Sequence, residues 1–312
     1  MFLANHQNAL LDALLIATHC KRKPYFLTRS DVFKTALLKV FFGFLQMIPV
    51  YRIRDGKNSL AGNTAIFERC AQLLGRGEAV LIFPEGNHSL KRRVRPLSKG
   101  FTRILFLALE SNPSMDIGIV PIGVNYANAA KFPDKAALYY GKEIRVQDFF
   151  DKKDVSGSAS RLKEEVYHHL KKLTTHIEEE SSYEEIVHTL DRAKVDYLDP
   201  AGVNRIIEEG TPPEYRKIGK GKVALEKYIL RGAFFILNFP MIIIWSIFIK
   251  PKVSEPEFLS TTRFMYALLF YPFFYLLFIA GMLEFLNWPA TSIICLAHLT
   301  LNIVLVKLSW ED

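Results

Sequence analysis

The sequence is poor in cysteine, and its few cysteines are far apart. Cys20, Cys70 and Cys295 are the only three in 312 residues, too few and too scattered for a disulfide framework or a zinc site, and we expect free thiols. Met1 to Asn5 is too short for the apolar region of a signal peptide, and no basic stretch precedes it. Because a patterned segment begins at residue 5, we expect an upstream strand or helix to be missing from this sequence.

Acidic residues are outnumbered by basic ones. The 32 aspartates and glutamates face 40 lysines and arginines, which gives a formal net charge of +8. In a chain with apolar segments, this excess favours anionic lipid head groups or a phosphorylated substrate as partners. No nucleic-acid recognition module accompanies the charge, so nucleic acid is not a predicted partner.

Long uncharged runs are confined to the last third of the chain, at residues 232–249, 264–283 and 285–306. Each is near the length of about 20 residues that crosses a bilayer as a helix. Tryptophans near the segment ends and basic residues before the first segment favour membrane helices over a soluble bundle. Prolines inside the segments make kinks or re-entrant hairpins an alternative to straight crossings. We expect an inner-membrane protein with a cytoplasmic catalytic half, although basic residues in the later loop do not fit simple alternation.

The remainder of the chain divides into two zones. Residues 1–150 alternate apolar runs, at 79–83 and 117–124, with helical patterns, at 9–16, 63–74 and 98–109. This alternation predicts an α/β fold, a layered sheet covered by helices. Residues 151–224 predict a helical insert, with Ser160 as a helix cap, followed by a linker over 196–224. Residues 225–312 are the predicted membrane-anchoring helices.

The first candidate for chemistry is the pair His6 and Asp12. Histidine is suited to take a proton near neutral pH, and a carboxylate on its other ring nitrogen fixes its tautomer. The two side chains can meet only if His6 lies in the turn before a helix that Asn8 caps. A histidine and an aspartate that share a surface by chance are the alternative.

The second candidate is Phe83-Pro84-Glu85-Gly86, directly after a predicted strand. Proline and glycine around a glutamate predict a tight turn that presents the carboxylate at the end of the strand, a common place for ligand contact. An ordinary turn is the alternative. The segment 90–103 follows with six basic residues and no acidic one, and would bind a phosphate or the diphosphate of a coenzyme.

The apolar stretch 33–48 is too short and too interrupted to predict a membrane crossing. Two interpretations stay open for it: an interfacial helix that holds acyl chains, or a core helix of the α/β domain. It is followed by a second basic pair, Arg52 and Arg54.

Taken in order, these blocks resemble the glycerolipid acyltransferase family, which includes 1-acylglycerol-3-phosphate and glycerol-3-phosphate acyltransferases. Asn-His-x-x-x-x-x-Asp, Arg, Phe-Pro-Glu-Gly, Lys-Gly-Phe and Ile-Val-Pro-Ile follow one another over residues 3–145. The resemblance does not extend to the helical insert or the C-terminal segments. It implies a membrane-bound O-acyltransferase of phospholipid biosynthesis that uses acyl-CoA or acyl carrier protein as co-substrate, with no cofactor and no metal.

The resemblance also implies roles for particular residues. His6 would deprotonate the acceptor hydroxyl, and Asp12 would orient it. Val120, Pro121 and Ile122 would line the acyl site. The residues that would bind the acceptor are Arg52, Arg54, Glu85, Gly86, Asn87, Arg92, Arg93 and Arg95.

Two departures from the family pattern bear on the acceptor. Five residues separate His6 from Asp12, where four are commoner in the family, and the longer form is similar to a minority of glycerol-3-phosphate and dihydroxyacetone-phosphate relatives. Asn87-His88-Ser89 stands where Thr-Arg-Ser is usual, so Arg92, Arg93 or Arg95 would replace the customary arginine. The expected acceptor is 1-acylglycerol-3-phosphate, then glycerol 3-phosphate, then another lysophospholipid.

Two other classes of protein are alternatives to this one. One is an esterase that uses Ser89, but the sequence lacks the Gly-x-Ser-x-Gly elbow of such enzymes. The other is a non-catalytic membrane adaptor with a decayed site, but His6, Asp12, Glu85 and Gly86 are all intact. The sequence therefore favours the acyltransferase.

Overall fold

The computed structural model describes residues 1–33, 35–51, 57–210 and 225–310 of the chain. They divide into two compact units. The first unit contains Met1–Ala127 and Lys135–Pro212, and the second contains Asn128–Asp134 and Pro213–Asp312. The predicted helical insert thus belongs to the same compact unit as the sheet.

Within the described residues, the first unit is built on a sheet of seven strands. They are β1 Phe2–Ala4, β2 Tyr25–Arg29, β3 Met47–Val50, β4 Val80–Ile82, β5 Gly118–Tyr126, β6 Ala136–Tyr140 and β7 Ile144–Arg145. The order is β3-β2-β4-β1-β5-β6, and β7 also pairs with β5. The pairs formed among strands β1 to β5 are parallel, while β6 and β7 are antiparallel to β5. The strands predicted at 79–83 and 117–124 are confirmed as β4 and β5.

Strand β1 lies in the middle of the sheet, between β4 and β5. Phe2 is in register with Leu81 on one side and with Val120 on the other. The sequence did not predict this strand, because three residues are too few to show the alternation that identifies a strand. Its position makes the turn after it, which carries His6, part of the carboxyl edge of the parallel strands.

Seven helices of the described residues belong to the first unit. They are α1 Ala9–His19, α2 Ala36–Phe44, α3 Lys57–Gly75, α4 Gly100–Ser111, α5 Val155–Leu173, α6 Tyr183–Arg192 and α7 Pro200–Glu209. Helices α3, α4 and α5 bury apolar side chains in one core, including the fully buried Phe101, Ile104, Leu162 and Leu170. The predicted α/β class is therefore correct, and the start of the helical insert packs into the same core.

The predicted cap of α5 was wrong. The helix begins at Val155, and the Asp154 carboxylate accepts a hydrogen bond from Gly157 N at 2.9 Å. Ser160 lies inside the helix, where its hydroxyl donates to Ser156 O. Aspartate is among the strongest helix caps, so an earlier aspartate can start the helix ahead of the serine.

The linker predicted over 196–224 was wrong where the structure describes it. Residues Pro200–Glu209 form α7, whose first N–H groups are capped by Asp199 through Gly202 N. Proline is well suited to the first turn of a helix, and Gly210, with a φ of 63°, ends this one in the left-handed region. The prolines and glycines that suggested a linker are helix-end signals. Residues 211–224 lie outside the described part of the chain.

Helix α2 occupies part of the apolar stretch 33–48. Val40 is 72% exposed and Phe44 is 84% exposed. A core helix would bury such side chains, so the core interpretation does not hold for this face of α2. The interfacial interpretation stays a prediction.

The second unit consists of apolar helices and the loop Asn128–Asp134. Its helices are α8 Leu225–Leu237, α9 Phe239–Ile244 with a continuation to Lys252, α10 Leu259–Leu283 and α11 Trp288–Trp310. Of the described helices, Pro256–Leu283 and Trp288–Trp310 are long and apolar enough to cross a membrane. The first predicted segment is bent by 82° between Leu237 and Phe239, which makes it a broken span or a re-entrant loop.

Polar side chains inside the second unit bond to one another. Asn238, at the bend, donates to Asn302 at 2.6 Å and accepts from the Tyr271 hydroxyl at 2.9 Å. The Tyr275 hydroxyl lies 2.7 Å from Nδ1 of His298. Satisfied polar pairs of this kind hold apolar helices together where the hydrophobic effect contributes little.

Gly123 generates a test of how α5 packs on the sheet. A Cβ added at Gly123 would collide with the backbone carbonyl of Leu173, the last residue of α5. That carbonyl is held in place by the Asn125 amide at 2.9 Å. We expect Gly123→Ala to lower the free energy of unfolding by about 1–3 kcal/mol, as overpacked cores do.

The measurement is denaturant unfolding of the purified full-length chain in mild detergent. Gly43→Ala is the control, because a Cβ at Gly43 meets nothing within 4 Å. Alanine also has the higher helix propensity, so the control keeps or raises stability. Equal stabilities for the two variants would contradict the close contact between β5 and α5.

Candidate active site

His6 and Asp12 form a hydrogen-bonded pair, as the sequence predicted. His6 lies in the turn between β1 and α1, and its Nδ1 is 2.7 Å from Oδ2 of Asp12 on the first turn of α1. The turn is tight, and Ala9 has a φ of 40°. Asn8 stands at the predicted cap position but makes no capping hydrogen bond with its side chain. The Asp12 carboxylate accepts instead from Gln7 N and Asn8 N, the two backbone groups just before the helix.

The Asp12 carboxylate is fully buried and receives four hydrogen bonds. Besides His6 and the two backbone N–H groups, the Tyr126 hydroxyl donates to Oδ1 at 2.6 Å. A buried carboxylate is costly unless donors surround it, and here both oxygens have them. The four donors come from the turn after β1 and from the end of β5, so Asp12 links these two segments.

The hydrogen bond to Asp12 determines what His6 can do. An ionised carboxylate can only accept, so His6 Nδ1 carries the proton and Nε2 carries the lone pair. Within the described residues, Nε2 makes no hydrogen bond. The ring is 15% exposed, stacks on Phe83 at 4.1 Å and meets the edge of His88 at 5.5 Å. This arrangement suits a general base that receives a proton from a bound molecule.

The Phe83-Pro84-Glu85-Gly86 segment forms the tight turn that the sequence predicted. Gly86 N donates to Phe83 O at 3.1 Å, and Gly86 has a φ of 78°, which favours glycine. Two further backbone bonds fix the loop: Ser89 N donates to His6 O, and Ser98 N donates to Pro84 O. The first of these joins the loop directly to the His6 turn.

Glu85 is buried in this turn and pairs with Arg95. Arg95 Nε is 2.9 Å from Glu85 Oε2, and the same guanidinium bonds to the side chain and the carbonyl of Asn87. The other oxygen, Oε1, is buried and has no hydrogen-bond partner in the described part of the chain. Burial raises the pKa of Glu85 to about 7, although the Arg95 guanidinium lowers it.

Two more of the arginines predicted to bind the acceptor, Arg92 and Arg93, have different surroundings. Arg92 donates to the carbonyls of Tyr126 and Ala127 and lies 3.3 Å above the ring of Tyr197. Its guanidinium joins the end of β5 to Tyr197, three residues before α7, which gives Arg92 a structural role. Arg93 pairs with Glu180 at 3.3 Å and keeps part of its side chain exposed. Arg95 is therefore the predicted arginine placed beside Glu85 and Asn87.

The remaining predicted site residues fall in two places. Arg52 and Arg54 lie outside the described residues. Val120, Pro121 and Ile122 lie in β5, in register with Phe2, Leu3 and Ala4 of β1. Ile122 is fully buried, and the role of these three residues in lining an acyl site stays a prediction.

Tyr126 and Asn5 hold the site together, although neither is among the site residues predicted from the sequence. Tyr126 is the last residue of β5 and is buried. The amide of Asn5 donates to Val124 O and accepts from Val124 N, which extends the pairing of β1 and β5 beyond the end of β1. The signal in the sequence was position, because Tyr126 is the last residue of β5 and Asn5 directly follows β1 at the edge that carries His6.

No group of three or more His, Cys, Asp or Glu side chains that could hold a metal ion occurs among the residues that the structure describes.

Comparisons with known proteins agree with the first part of the chain. An acyltransferase family model matches residues 1–125. The chain is 32% identical over 84 residues to glycerol-3-phosphate O-acyltransferase 2 of Saccharomyces cerevisiae and 26% identical over 83 residues to glycerol-3-phosphate O-acyltransferase 1 of the same yeast. Each match covers 27% of this chain, and the chain spans only 11% of the length of these relatives.

A solved structure is also similar to part of the chain. The 1-acyl-sn-glycerophosphate acyltransferase PlsC from Thermotoga maritima is 17% identical, with a TM-score of 0.37. The likeness covers 55% of this chain and 65% of that one. At this TM-score it supports no conclusion about fold or function.

Tyr126 generates a prediction about the buried carboxylate. Tyr126→Phe removes the donor to Asp12 Oδ1 and leaves a buried oxygen without it, which costs on the order of 1–3 kcal/mol. We expect the free energy of unfolding to fall by that amount. Tyr139→Phe is the control, because the Tyr139 hydroxyl bonds to a carbonyl at the exposed surface. Equal losses in the two variants would argue against a special role for the Tyr126 hydroxyl.

Glu85 generates a prediction about pH. Its pKa in the folded chain, about 7, lies above its ordinary value of 4.5, so the folded state binds more protons than the unfolded state between these two values. The contribution of Glu85 to stability is therefore fully present below about pH 4.5 and falls until about pH 7. Glu85→Gln cannot titrate. We expect the stability of the native chain relative to this variant to fall as pH rises from 5 to 8.

The measurement is denaturant unfolding of both proteins at several pH values in that range. Other titrating groups cancel in the difference, because they are present in both chains. If the stability of the native chain relative to the variant stays flat or rises with pH, the Arg95 guanidinium lowers the pKa of Glu85 more than burial raises it.

Proposed function

We propose that this chain, whose first 125 residues match an acyltransferase family model, is a glycerolipid acyltransferase that transfers a fatty acyl group from a thioester to a hydroxyl of a glycerol phosphate acceptor. The observation that carries the proposal is the His6–Asp12 pair, with Nε2 of His6 unengaged among the described residues and the Glu85 turn bonded to the same segment. A base that faces an acceptor-binding turn is the minimum that this reaction requires.

The proposed reaction begins when His6 Nε2 accepts the proton of the acceptor hydroxyl. The oxygen attacks the thioester carbonyl carbon, and a tetrahedral intermediate forms. When the carbon–sulfur bond breaks, the new ester is released and the thiolate of the carrier takes the proton back from His6. No covalent bond to the enzyme is needed, and general base catalysis of this kind contributes about 10²–10⁴-fold.

Asp12 supports this step through His6. Its bond to Nδ1 holds the imidazole in the reactive tautomer and stabilises the imidazolium that forms after proton transfer. Since Asp12 is itself held by three further donors, it cannot turn away when His6 becomes charged. The pair is therefore organised before the substrates bind.

The turn at Glu85 is the proposed acceptor site. Gly86 and Asn87 are exposed at its tip, while the Glu85–Arg95 pair fixes its shape from inside. A polar, partly exposed turn next to a base can contact the hydroxyl groups of a glycerol unit. Val120, Pro121 and Ile122 remain the proposed lining on the acyl side, and the donor is acyl-CoA or acyl carrier protein.

Two acceptors are candidates. The sequence favours 1-acylglycerol-3-phosphate, and no contact of the described site disagrees with it. Two observations support glycerol 3-phosphate: the five residues between His6 and Asp12, and the names of the two yeast relatives, both glycerol-3-phosphate O-acyltransferases. The first acceptor already carries one acyl chain, whereas the second carries none, so an assay separates them by product.

The proposed location is a membrane, with the acyltransferase domain on the cytoplasmic side of the inner membrane. Two described helices, or three if the bent pair is one span, are long and apolar enough for a bilayer. An acyl acceptor or product with one or two fatty chains partitions into lipid, so a membrane-anchored enzyme meets it where it is concentrated.

We test the function by supplying the full-length chain, in mild detergent, with radiolabelled acyl-CoA or acyl carrier protein. Glycerol 3-phosphate, 1-acylglycerol-3-phosphate and lysophosphatidylcholine are offered in parallel. We expect a labelled product with a phosphate monoester acceptor. His6→Ala should lower the rate on the order of 10²–10⁴-fold, because the base is lost.

The matched control is His19→Ala, which removes an exposed histidine at the end of α1 and should keep the native rate. Absence of product with every acceptor and both donors would favour the non-catalytic adaptor. Equal activity in the His6→Ala variant would reject His6 as the base.

A further inference from the structure

Residues 90–99, which follow the Glu85 turn and precede α4, form a basic loop, and two of its cations share one carboxylate. Lys91 Nζ is 3.5 Å from Glu180 Oε1, and Arg93 Nη1 is 3.3 Å from Glu180 Oε2. Glu180 lies in the segment 174–182, which joins α5 to α6. None of the acyltransferase blocks in the sequence includes this segment.

The segment 174–182 is fastened to the basic loop by bonds that involve the backbone. Ile177 N donates to Arg92 O at 3.0 Å, and Val94 N donates to Nδ1 of the buried His176 at 3.0 Å. Just beyond the segment, the Tyr183 hydroxyl accepts from Arg92 N at 2.7 Å. Glu180 is therefore presented to Lys91 and Arg93 by a fixed frame.

The Glu180 pairs differ from the other ion pair of the loop. The side chain of Glu85, which holds Arg95, is 2% exposed, whereas the side chain of Glu180 is 72% exposed. Exposed pairs contribute little and exchange readily with other ions, while buried pairs are costly to separate. Glu180 is thus an anion that a stronger ligand can replace, and Glu85 is not.

The charges and the position favour a phosphate monoester as that ligand. Lys91 and Arg93 carry two positive charges against one carboxylate, and a phosphate monoester brings a charge of about −1.5 to −2 and three acceptor oxygens. Ser89 N bonds to His6 O, and Lys91 follows two residues later, at most about 7 Å of extended chain. The backbone that carries the two cations therefore begins beside the His6 turn, at the same edge of the sheet as the proposed base.

We propose that Lys91 and Arg93 bind a phosphate monoester in the place that the Glu180 carboxylate occupies in the structure, and that Glu180 determines how strongly this phosphate binds. The inference rests on the proposed function for its substrate, since glycerol phosphate acceptors carry such a group. The nucleotide part of coenzyme A carries one as well. Glu180 is a specificity-determining residue in either case, because it competes with the phosphate for the same two cations.

The variant Glu180→Gln tests the proposal in the full-length chain. Removal of the competing charge should lower the KM for the substrate that uses the site about three- to tenfold and leave kcat unchanged. Glu185→Gln is the matched control: it makes the same change of charge five residues away, at an exposed glutamate with no ion pair within the described residues. In the background Lys91→Ala plus Arg93→Ala, Glu180→Gln should no longer change KM.

Separate donors and acceptors identify the source of the phosphate. A lower KM for glycerol 3-phosphate or 1-acylglycerol-3-phosphate, with the KM for acyl-CoA unchanged, assigns the site to the acceptor. A lower KM for acyl-CoA that disappears with acyl-pantetheine, which lacks the nucleotide phosphates, assigns it to the carrier. If Glu180→Gln and Glu185→Gln give the same KM for every substrate, the proposal is overturned.

Binding of inorganic phosphate, measured by calorimetry on the full-length chain, separates this proposal from the proposed function. Tighter binding in Glu180→Gln than in Glu185→Gln supports the site even if no acyl transfer is detected. Equal phosphate binding in both variants, in a chain that transfers acyl groups, rejects the site and keeps the function.

Discussion

A carboxylate that is removed from water has to be surrounded by donors, and the candidate site is built around that requirement. Asp12 is fully buried, and its donors come from the His6 turn and from Tyr126. Asp12 and Tyr126 are 114 residues apart in the chain, so β1 and β5 must lie in a fixed register for all the donors to reach the carboxylate. The Asn5 amide, which bonds to both backbone groups of Val124, fixes that register where the backbone pairing ends.

The same geometry explains how a loop far along the chain comes to lie beside the His6 turn. Ser89 N bonds to the carbonyl of His6, so the loop after β4 is fastened to the turn after β1. Since β4 and β1 are neighbours in the sheet, the fastening needs no long excursion of either chain segment. The His6 imidazole, the Glu85 turn and the basic loop therefore lie at the carboxyl edge of adjacent parallel strands, a common place for ligands in open α/β sheets.

Local signals in the sequence predicted a large part of this arrangement. The apolar runs of β4 and β5, the helical patterns of α3 and α4, and the meeting of His6 with Asp12 all follow from residues close together in the chain. What the sequence could not give depends on distant partners. Tyr126 is an ordinary strand residue until β5 lies beside β1, and β1 is too short to have a pattern. The corrections at Asp154 and α7 concern helix ends, where several nearby residues could serve as caps.

The two ion pairs of the basic loop show how burial divides one run of charges into different tasks. The Glu85 carboxylate is shielded from water, with 2% of its side chain exposed, so loss of Arg95 would leave an uncompensated buried charge, and the pair acts as part of the frame. The Glu180 side chain is 72% exposed, so water and ions can compensate its charge and those of its partners Lys91 and Arg93 at little cost. Arg92 belongs to the frame as well, because its guanidinium is taken by two carbonyls and a tyrosine ring. Of these four cations, Lys91 and Arg93 can therefore change partner without loss of the fold, which a site that binds and releases an anion in every turnover requires.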